Sequence, residues 1–254
     1  MTIEIIPVEG IPIVQAGDNF PAFIAACLSI EEDDVLCVAS SAYSKSKGYL
    51  RSLADIQPSE RAAEIAGKCG EDARFIQAVL DEADDIIIDY PFILCSLPHG
   101  HVGVRAGIDH SNVEDGLIIV LPPNPMEAAD DIRAEIKKIT GKNIRVILTD
   151  TCGRSFRRGQ AGVAIGWSGM PAIQDYRGDT DLFGHVLEIT EEAVVDEIAG
   201  IANFVMGESN RGVPAVICRN VPVWQGHDDL YFKAEEDITR KAMKNNCNYS
   251  AMRS

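Results

Sequence analysis

Apolar positions along the chain fall into short runs divided by turn-forming residues, and each run has the length of a strand or the spacing of a helix. The opening IEIIPVEGIPIV reads as two short strands around Gly10, and Phe20 to Leu28 as a short helix. Asp33 and Asp34 lead into an apolar strand, Val35 to Ala39, and Ala42 to Gly48 is expected to be a loop at that strand's carboxyl end. Ser59 after Pro58 suits a helix N-cap. A further helix from about Glu71 to Ala83 places Phe75, Ile76, Val79, Leu80 and Ala83 on one face. Ile86 to Ile88, Phe92 to Cys95, the alternating Val102, Val104 and Ala106, and Leu117 to Leu121 are strands by pattern. Asn124 and Pro125 then open a helix that runs to Thr140 and stops at Gly141.

The apolar run Ile144 to Leu148 is expected to be a strand that delivers Asp150 and Thr151 into a loop. Ala161 to Ile165 follows as a strand, and Tyr176 to Phe183 as an irregular connection. Thr190 is read as the cap of a helix from about Glu191 to Met206, with Val194, Ile198, Ile201, Ala202 and Val205 turned inward. Val213 to Cys218 is the last strand by pattern, and Leu230 to Asn246 an amphipathic helical tail. No repeat, linker or composition break divides the chain, so residues 1–254 are expected to form a single domain, with 224–254 as its helical tail.

The 254 residues suffice for a large core, and the 46% hydrophobic and 24% charged content is that of a soluble globular protein. No apolar run reaches membrane-spanning length and no basic-then-apolar start marks a secretory signal, so a cytoplasmic protein without membrane association is expected. Seven scattered cysteines without a CxxC pattern read as free thiols in a reducing compartment. The formal net charge of -16 disfavours nucleic acid as a partner. It leaves room for an anionic small molecule, provided that its site is locally basic or uses cations.

Arg154, Arg157 and Arg158 make such a place, next to Asp150 and Thr151 and with Gly153 and Gly159 to let the backbone turn. GIDHSN (107–112) and GESNRG (207–212) repeat the pairing of glycine with an acidic side chain at the end of a regular element. Together they offer Asp109, Asp150, the Thr151 hydroxyl and Glu208, an oxygen set suited to Mg²⁺ or Mn²⁺ bridging phosphates, with a two-metal cluster as the expectation. Each also has a plain structural reading: Asp109 and Asp150 as turn or cap residues, Glu208 and Asn210 as a helix-end turn, the arginines as surface ion pairs. His99 and His101 flank Gly100 in a hairpin turn with no third ligand nearby, and Trp167 either stacks on a ring system or belongs to the core. Neither GxxxxGK[ST] nor a strand-borne GxGxxG occurs.

VEGIPIV, SSAYSKSKG, AGIDHSNVE, LTDTCGRSFRRGQAGVAIGWSG and MGESNRGVPAV, in this order, closely resemble the coenzyme F420-0:L-glutamate ligase family, over nearly all of residues 1–220. The resemblance implies a homodimer with an unusual α+β fold of two interleaved parts, mixed sheets and helices without a P-loop or Rossmann motif. It implies an enzyme that uses GTP to attach L-glutamate, through γ-linked amide bonds, to coenzyme F420-0, with two Mg²⁺ or Mn²⁺ ions per site and K⁺ as activator. The length resembles the stand-alone archaeal form. Residue by residue, Asp109 and Asp150 would hold one metal, and Thr151 and Glu208 the other. GTP would be contacted by Ile11, Pro12, Ile13 and Val14, by Ser40, Ser41 and Lys45, by Asn112, and by Met206, Gly207, Glu208, Ser209, Asn210, Arg211, Gly212 and Val213. Asp150, Lys45 and Arg154 are the residues expected to serve the transfer step, the arginine on its chemistry alone. Two rival readings are a ligase for a different acid acceptor and a noncatalytic nucleotide or metal sensor; a sensor would not need so complete an acidic set.

Overall fold

The computed structural model describes residues 2–251, with side chains to residue 244. In chain order the elements are β1 (Glu4–Pro7), α1 (Phe20–Cys27), β2 (Val35–Ala39), α2 (Ser40–Ser46), β3 (Leu50–Ser52), α3 (Glu60–Cys69) and α4 (Ala73–Glu82). Then come β4 (Asp85–Ile88), β5 (Leu94–Ser96), β6 (Val102–Val104), β7 (Leu117–Ile119), α5 (Pro125–Thr140), β8 (Arg145–Gly153) and β9 (Gln160–Ser168). The last are β10 (Ile173–Asp175), β11 (Glu191–Glu192), α6 (Val194–Met206), β12 (Ala215–Arg219), β13 (Gly226–His227) and α7 (Ile238–Ala251). The fold is α+β. The chain divides into two compact units, residues 1–48 with 122–230 and residues 49–121 with 231–254.

The first unit is built on a five-stranded sheet of order β1-β12-β2-β8-β9, in which only β2 and β8 run parallel. Val35, Leu36, Cys37 and Val38 of β2 have no solvent contact, as a strand covered on both faces requires. Buried Asp34, just before β2, accepts from Arg219 Nε and Nη2, both at 2.9 Å, a bidentate pair that pins the end of β12. Arg145 starts β8 as a buried guanidinium that donates to the carbonyls of Asp33 (2.6 Å), Val221 (2.9 Å) and Pro222 (3.2 Å). Burial holds its pKa below the usual arginine value, yet the three carbonyls keep it useful as a tie between three segments.

The helices reach the sheet where side chains are missing. Along β9 the register slips by one residue between Leu148/Gly166 and Thr149/Ala164, so Ile165 is an extra residue. Gly162 and Gly166, which a regular strand would place on one face, therefore meet different helices. A Cβ on Gly162 would lie 2.4 Å from Asn203 Cβ and 2.7 Å from Ala199 O in α6, and one on Gly166 would lie 2.1 Å from Pro125 O in α5.

In the second unit α3 and α4 pack together, β3 pairs with β7, and β4-β5-β6 form an antiparallel sheet. Arg240 of α7 reaches Asp85 (2.9 Å) and Ser96 (2.7 Å) on that sheet. His99 and His101 stand stacked in the β5–β6 hairpin turn, ring centroids 6.2 Å apart, and burial pulls the pKa of each down to about 4.

Several elements differ from their sequence pattern. Residues 11–14 form no strand, since only β1 of the opening pair finds a partner, β12. Ala42 to Gly48 is mostly helix rather than loop, because α2 begins directly where β2 ends. Asp150 and Thr151 lie in β8 itself, which pairs with β9 as far as Gly153. Glu191 and Glu192 pair with β10 instead of opening a helix, so α6 starts only at Val194, capped by Ala193. The tail is not helical until Ile238. Of the cysteines, the six described are free thiols, and Cys247 lies outside the described side chains. Trp167 is a core residue, buried with its indole N–H donating to Asp228 at 2.8 Å. Among the described residues no helix is long and apolar enough to cross a membrane.

Candidate active site

The carboxyl ends of β2 and β8 carry the polar residues singled out above. Parallel pairing brings Ala39 level with Thr149, so Ser40, at the start of α2, and Asp150, one residue further along β8, meet at that end. The Ser40 hydroxyl donates to Asp150 Oδ1 at 3.4 Å, and the Cys152 thiol to Oδ2 at 3.9 Å. Burial, and then the negative charge of Asp150, push the Cys152 pKa far up. That shift disfavours a free thiolate nucleophile in this strand.

Strand alternation turns Thr151 to the opposite face from Asp150. There its hydroxyl donates to Glu208 Oε1 at 2.8 Å, while Asn203 Nδ2 donates to Thr151 Oγ1 at 3.0 Å and to the same Glu208 oxygen at 2.7 Å. Glu208 comes from the loop after α6 and Asn203 from the last turn of that helix, so a strand end and a helix end converge. Adjacent residues on opposite faces are poor partners for one ion and well placed to serve two. The donors are carboxylate and hydroxyl oxygens, a set that fits hard divalent cations such as Mg²⁺ or Mn²⁺.

The other expected residues are distributed as follows. Ser41 and Lys45 are half-buried in α2, whereas Pro12 and Ile13 are exposed and Val14 buried in an extended segment. Met206 is buried at the end of α6, and Ser209, Asn210, Arg211 and Gly212 form an exposed loop before half-buried Val213. Arg154, Arg157 and Arg158 are exposed on the β8–β9 hairpin, and among the described residues no carboxylate lies within salt-bridge distance of any of them. Arg154 Nη2 instead donates to the carbonyl of Arg158 at 3.3 Å. Asp109 and Asn112 belong to the second unit. Asp109 bridges to Ile119 through its backbone, and its carboxylate accepts from the Ser111 amide (2.7 Å) and hydroxyl (2.5 Å), so the turn role is built in.

Two features had no place in the sequence reading. Asn203 is the first, and its only trace in the sequence is a polar residue one turn ahead of GESNRG. The second is Asp175, Glu191 and His227, which the β11-β10-β13 sheet gathers with ligand atoms within 4.8 Å of one another. Arg177 already donates to Asp175 (2.6 Å) and bridges to Glu191 (3.2 Å), so both carboxylates are engaged in an ion-pair network.

A family model described as F420-0:Gamma-glutamyl ligase matches residues 10–220. Coenzyme F420:L-glutamate ligase of Archaeoglobus fulgidus is 45% identical over 246 residues, covering 96% of this chain and 99% of its own. The enzymes of the same name from Methanosarcina mazei and Halobacterium salinarum are 44% and 43% identical, covering 96% and 93% of this chain and 98% and 95% of theirs. Matched over residues 10–220 by the model and over 93–96% of its length by these relatives, the chain belongs to the F420-0:gamma-glutamyl ligase family.

Proposed function

We propose that the chain acts as one ligase domain that joins L-glutamate to coenzyme F420-0 through a γ-linked amide bond, at the expense of GTP, in the biosynthesis of coenzyme F420. The observation that carries the reading is the convergence of Thr151 and Glu208 at 2.8 Å beside Asp150. That is an oxygen-rich strand end in a chain with relatives named for this ligation.

A carboxylate does not acylate an amine unaided. The acceptor carboxylate attacks the γ-phosphorus of GTP, a carboxyl O–P bond forms, the β–γ bridging P–O bond breaks, and GDP leaves. The amine of glutamate then attacks the acyl carbon; the C–N bond forms, the C–O bond to the phosphoryl group breaks with its electron pair leaving on phosphate, and the amine loses its proton. Two Mg²⁺ or Mn²⁺ ions would supply Lewis-acid neutralisation of the phosphate charge, with K⁺ as a further activating ion. Asp109 and Asp150 would hold one divalent ion, and Thr151 and Glu208 the other. Lys45 and Arg154 face the charge that spreads over the transferred phosphoryl group. The GTP contacts are those of segment 11–14, Ser40, Ser41, Lys45, Asn112 and the 206–213 loop. The guanidiniums of Arg154, Arg157 and Arg158, without a carboxylate partner among the described residues, support a role in receiving an anionic substrate. The active form is a homodimer.

Incubating the protein with GTP, Mn²⁺, L-glutamate and coenzyme F420-0 and weighing the products tests this. Mass increments of whole glutamyl residues are expected, and their absence with both Mn²⁺ and Mg²⁺ refutes the reading. Asp150→Asn is expected to abolish turnover with the circular dichroism spectrum unchanged.

A further inference from the structure

Thr151 and Glu208 come from separate elements and share one direct hydrogen bond, 2.8 Å from the hydroxyl to Oε1. Thr151 belongs to β8, and Glu208 is itself exposed, in a loop whose Ser209, Asn210, Arg211 and Gly212 are all exposed. The side-chain amide of Asn203 ties both of them a second time, and it reaches them because β9 carries no side chain at the residue paired with Thr151. Gly162 is that residue. Directly paired residues point to one face, and the 2.4 Å that would separate a Gly162 Cβ from Asn203 Cβ is far inside contact distance.

We propose that Asn203 is the positioning residue that presents the Thr151 hydroxyl and the Glu208 carboxylate as a preformed pair of oxygen ligands, with Gly162 as the gap that admits it. The inference deepens the assignment of Thr151 and Glu208 to one divalent cation, and rests on it. Hydrogen-bond accounting fixes the directions. The Asn203 amide turns its nitrogen to both partners, since its oxygen would face a carboxylate. One N–H goes to Thr151 Oγ1 and the other to Glu208 Oε1. With one lone pair of Thr151 Oγ1 taken, its proton goes to Glu208 Oε1 and its second lone pair is turned outward. Glu208 Oε1 thereby accepts two bonds, and Oε2 makes none with the described residues. One hydroxyl lone pair and one carboxylate oxygen are thus left for a ligand, on two groups that the same amide holds. Without the amide only the single Thr151–Glu208 bond orders the pair, and the exposed carboxylate gains other rotamers that the ion then has to freeze out.

The test is Mn²⁺ affinity, read by electron paramagnetic resonance as Mn²⁺ is titrated into the full chain with a non-hydrolysable GTP analogue. Asn203→Ala and Asn203→Leu, the second keeping most of the volume, are expected to weaken binding by about 10- to 100-fold, the range for partners that orient ligands. Their melting temperatures should stay near wild type. Glu208→Ala should weaken binding at least as much, and adding Asn203→Leu to it should weaken it little further. Wild-type affinity in both Asn203 variants, or a double variant in which the two losses multiply, overturns the positioning role and leaves Glu208 a ligand. Wild-type affinity in Glu208→Ala and Thr151→Val removes the ligand assignment itself, and the inference with it.

Discussion

Gly162→Ala adds one methyl group to the middle of a strand and should disturb both the core and the site. The new Cβ would stand 2.4 Å from Asn203 Cβ and 2.7 Å from Ala199 O, where carbon contacts need about 3.5–4.0 Å, so α6 has to retreat by roughly 1 Å. Overpacking of this kind costs about 1–3 kcal/mol, or a fall in melting temperature of roughly 2–4 °C per kcal/mol at this chain length. The same retreat stretches the 3.0 Å bond from Asn203 to Thr151 beyond hydrogen-bond range and, because the Glu208 loop leaves from α6, the 2.8 Å bond from Thr151 to Glu208 as well. Gly166→Ala is the comparison, since it drives a methyl group to 2.1 Å from a carbonyl oxygen of α5, on the other face. Urea unfolding and glutamyl transfer would be measured for both variants. Both should be destabilised, but at equal loss of stability Gly162→Ala should lose the more turnover. Unchanged melting and turnover in Gly162→Ala would refute the claim that the missing side chain sets the distance between strand and helix.

Other expectations concern charge. Stacked His99 and His101, with pKa values near 4 against an unfolded value of 6.5, bind fewer protons folded than unfolded between those limits. Their contribution is full above pH 6.5 and is lost as the pH falls toward 4, so the urea midpoint should drop between pH 6.5 and 5, and less in His99→Gln/His101→Gln; equal slopes would refute this. Arg145→Met leaves the carbonyls of Asp33, Val221 and Pro222 without their donor, and should cost about 3 kcal/mol or more in denaturant unfolding. Replacing Arg154, Arg157 and Arg158 together by Ser should leave stability within about 0.5 kcal/mol while raising KM and flattening its salt dependence, and an unchanged KM would make them plain surface charges.

What could be read in advance was whatever is specified within a turn or two. Helix α5 matched its pattern end to end because Asn124 caps it through the Glu127 amide, Pro125 stands at its first position and Gly141 closes it in a left-handed conformation. β2 matched because a fully apolar five-residue run suits a strand covered on both faces. The failures lie where a distant partner decides. Thr149 to Gly153 reads as a polar turn, and becomes strand through pairing with residues 160–164. Glu191 and Glu192 look like a first helical turn, and are drawn into β11 by Gln174 and Asp175. The acidic and hydroxyl residues of the site were legible because few residue types suit phosphate-bridging cations. Asn203 was not, because an amide within a helix acquires its meaning only from the strand it touches, and that strand is marked by the absence of a side chain.

The strand order of the first sheet also carries a consequence for biosynthesis of the chain itself. β12 sits between β1 and β2, so the first two strands to leave the ribosome are neighbours of the one made nearly last. Until residue 219 has emerged, β1 and the outer side of β2 are open edges that cannot be satisfied by each other in the native arrangement. A truncated nascent chain therefore holds apolar strand edges exposed for most of translation, and at about 5–20 residues per second that interval lasts roughly ten seconds or more. Synthesis at reduced temperature or with a holding chaperone should raise the yield of folded protein more than any single surface substitution. Circular permutants that begin just before β12 would shorten the wait by placing the late strand first.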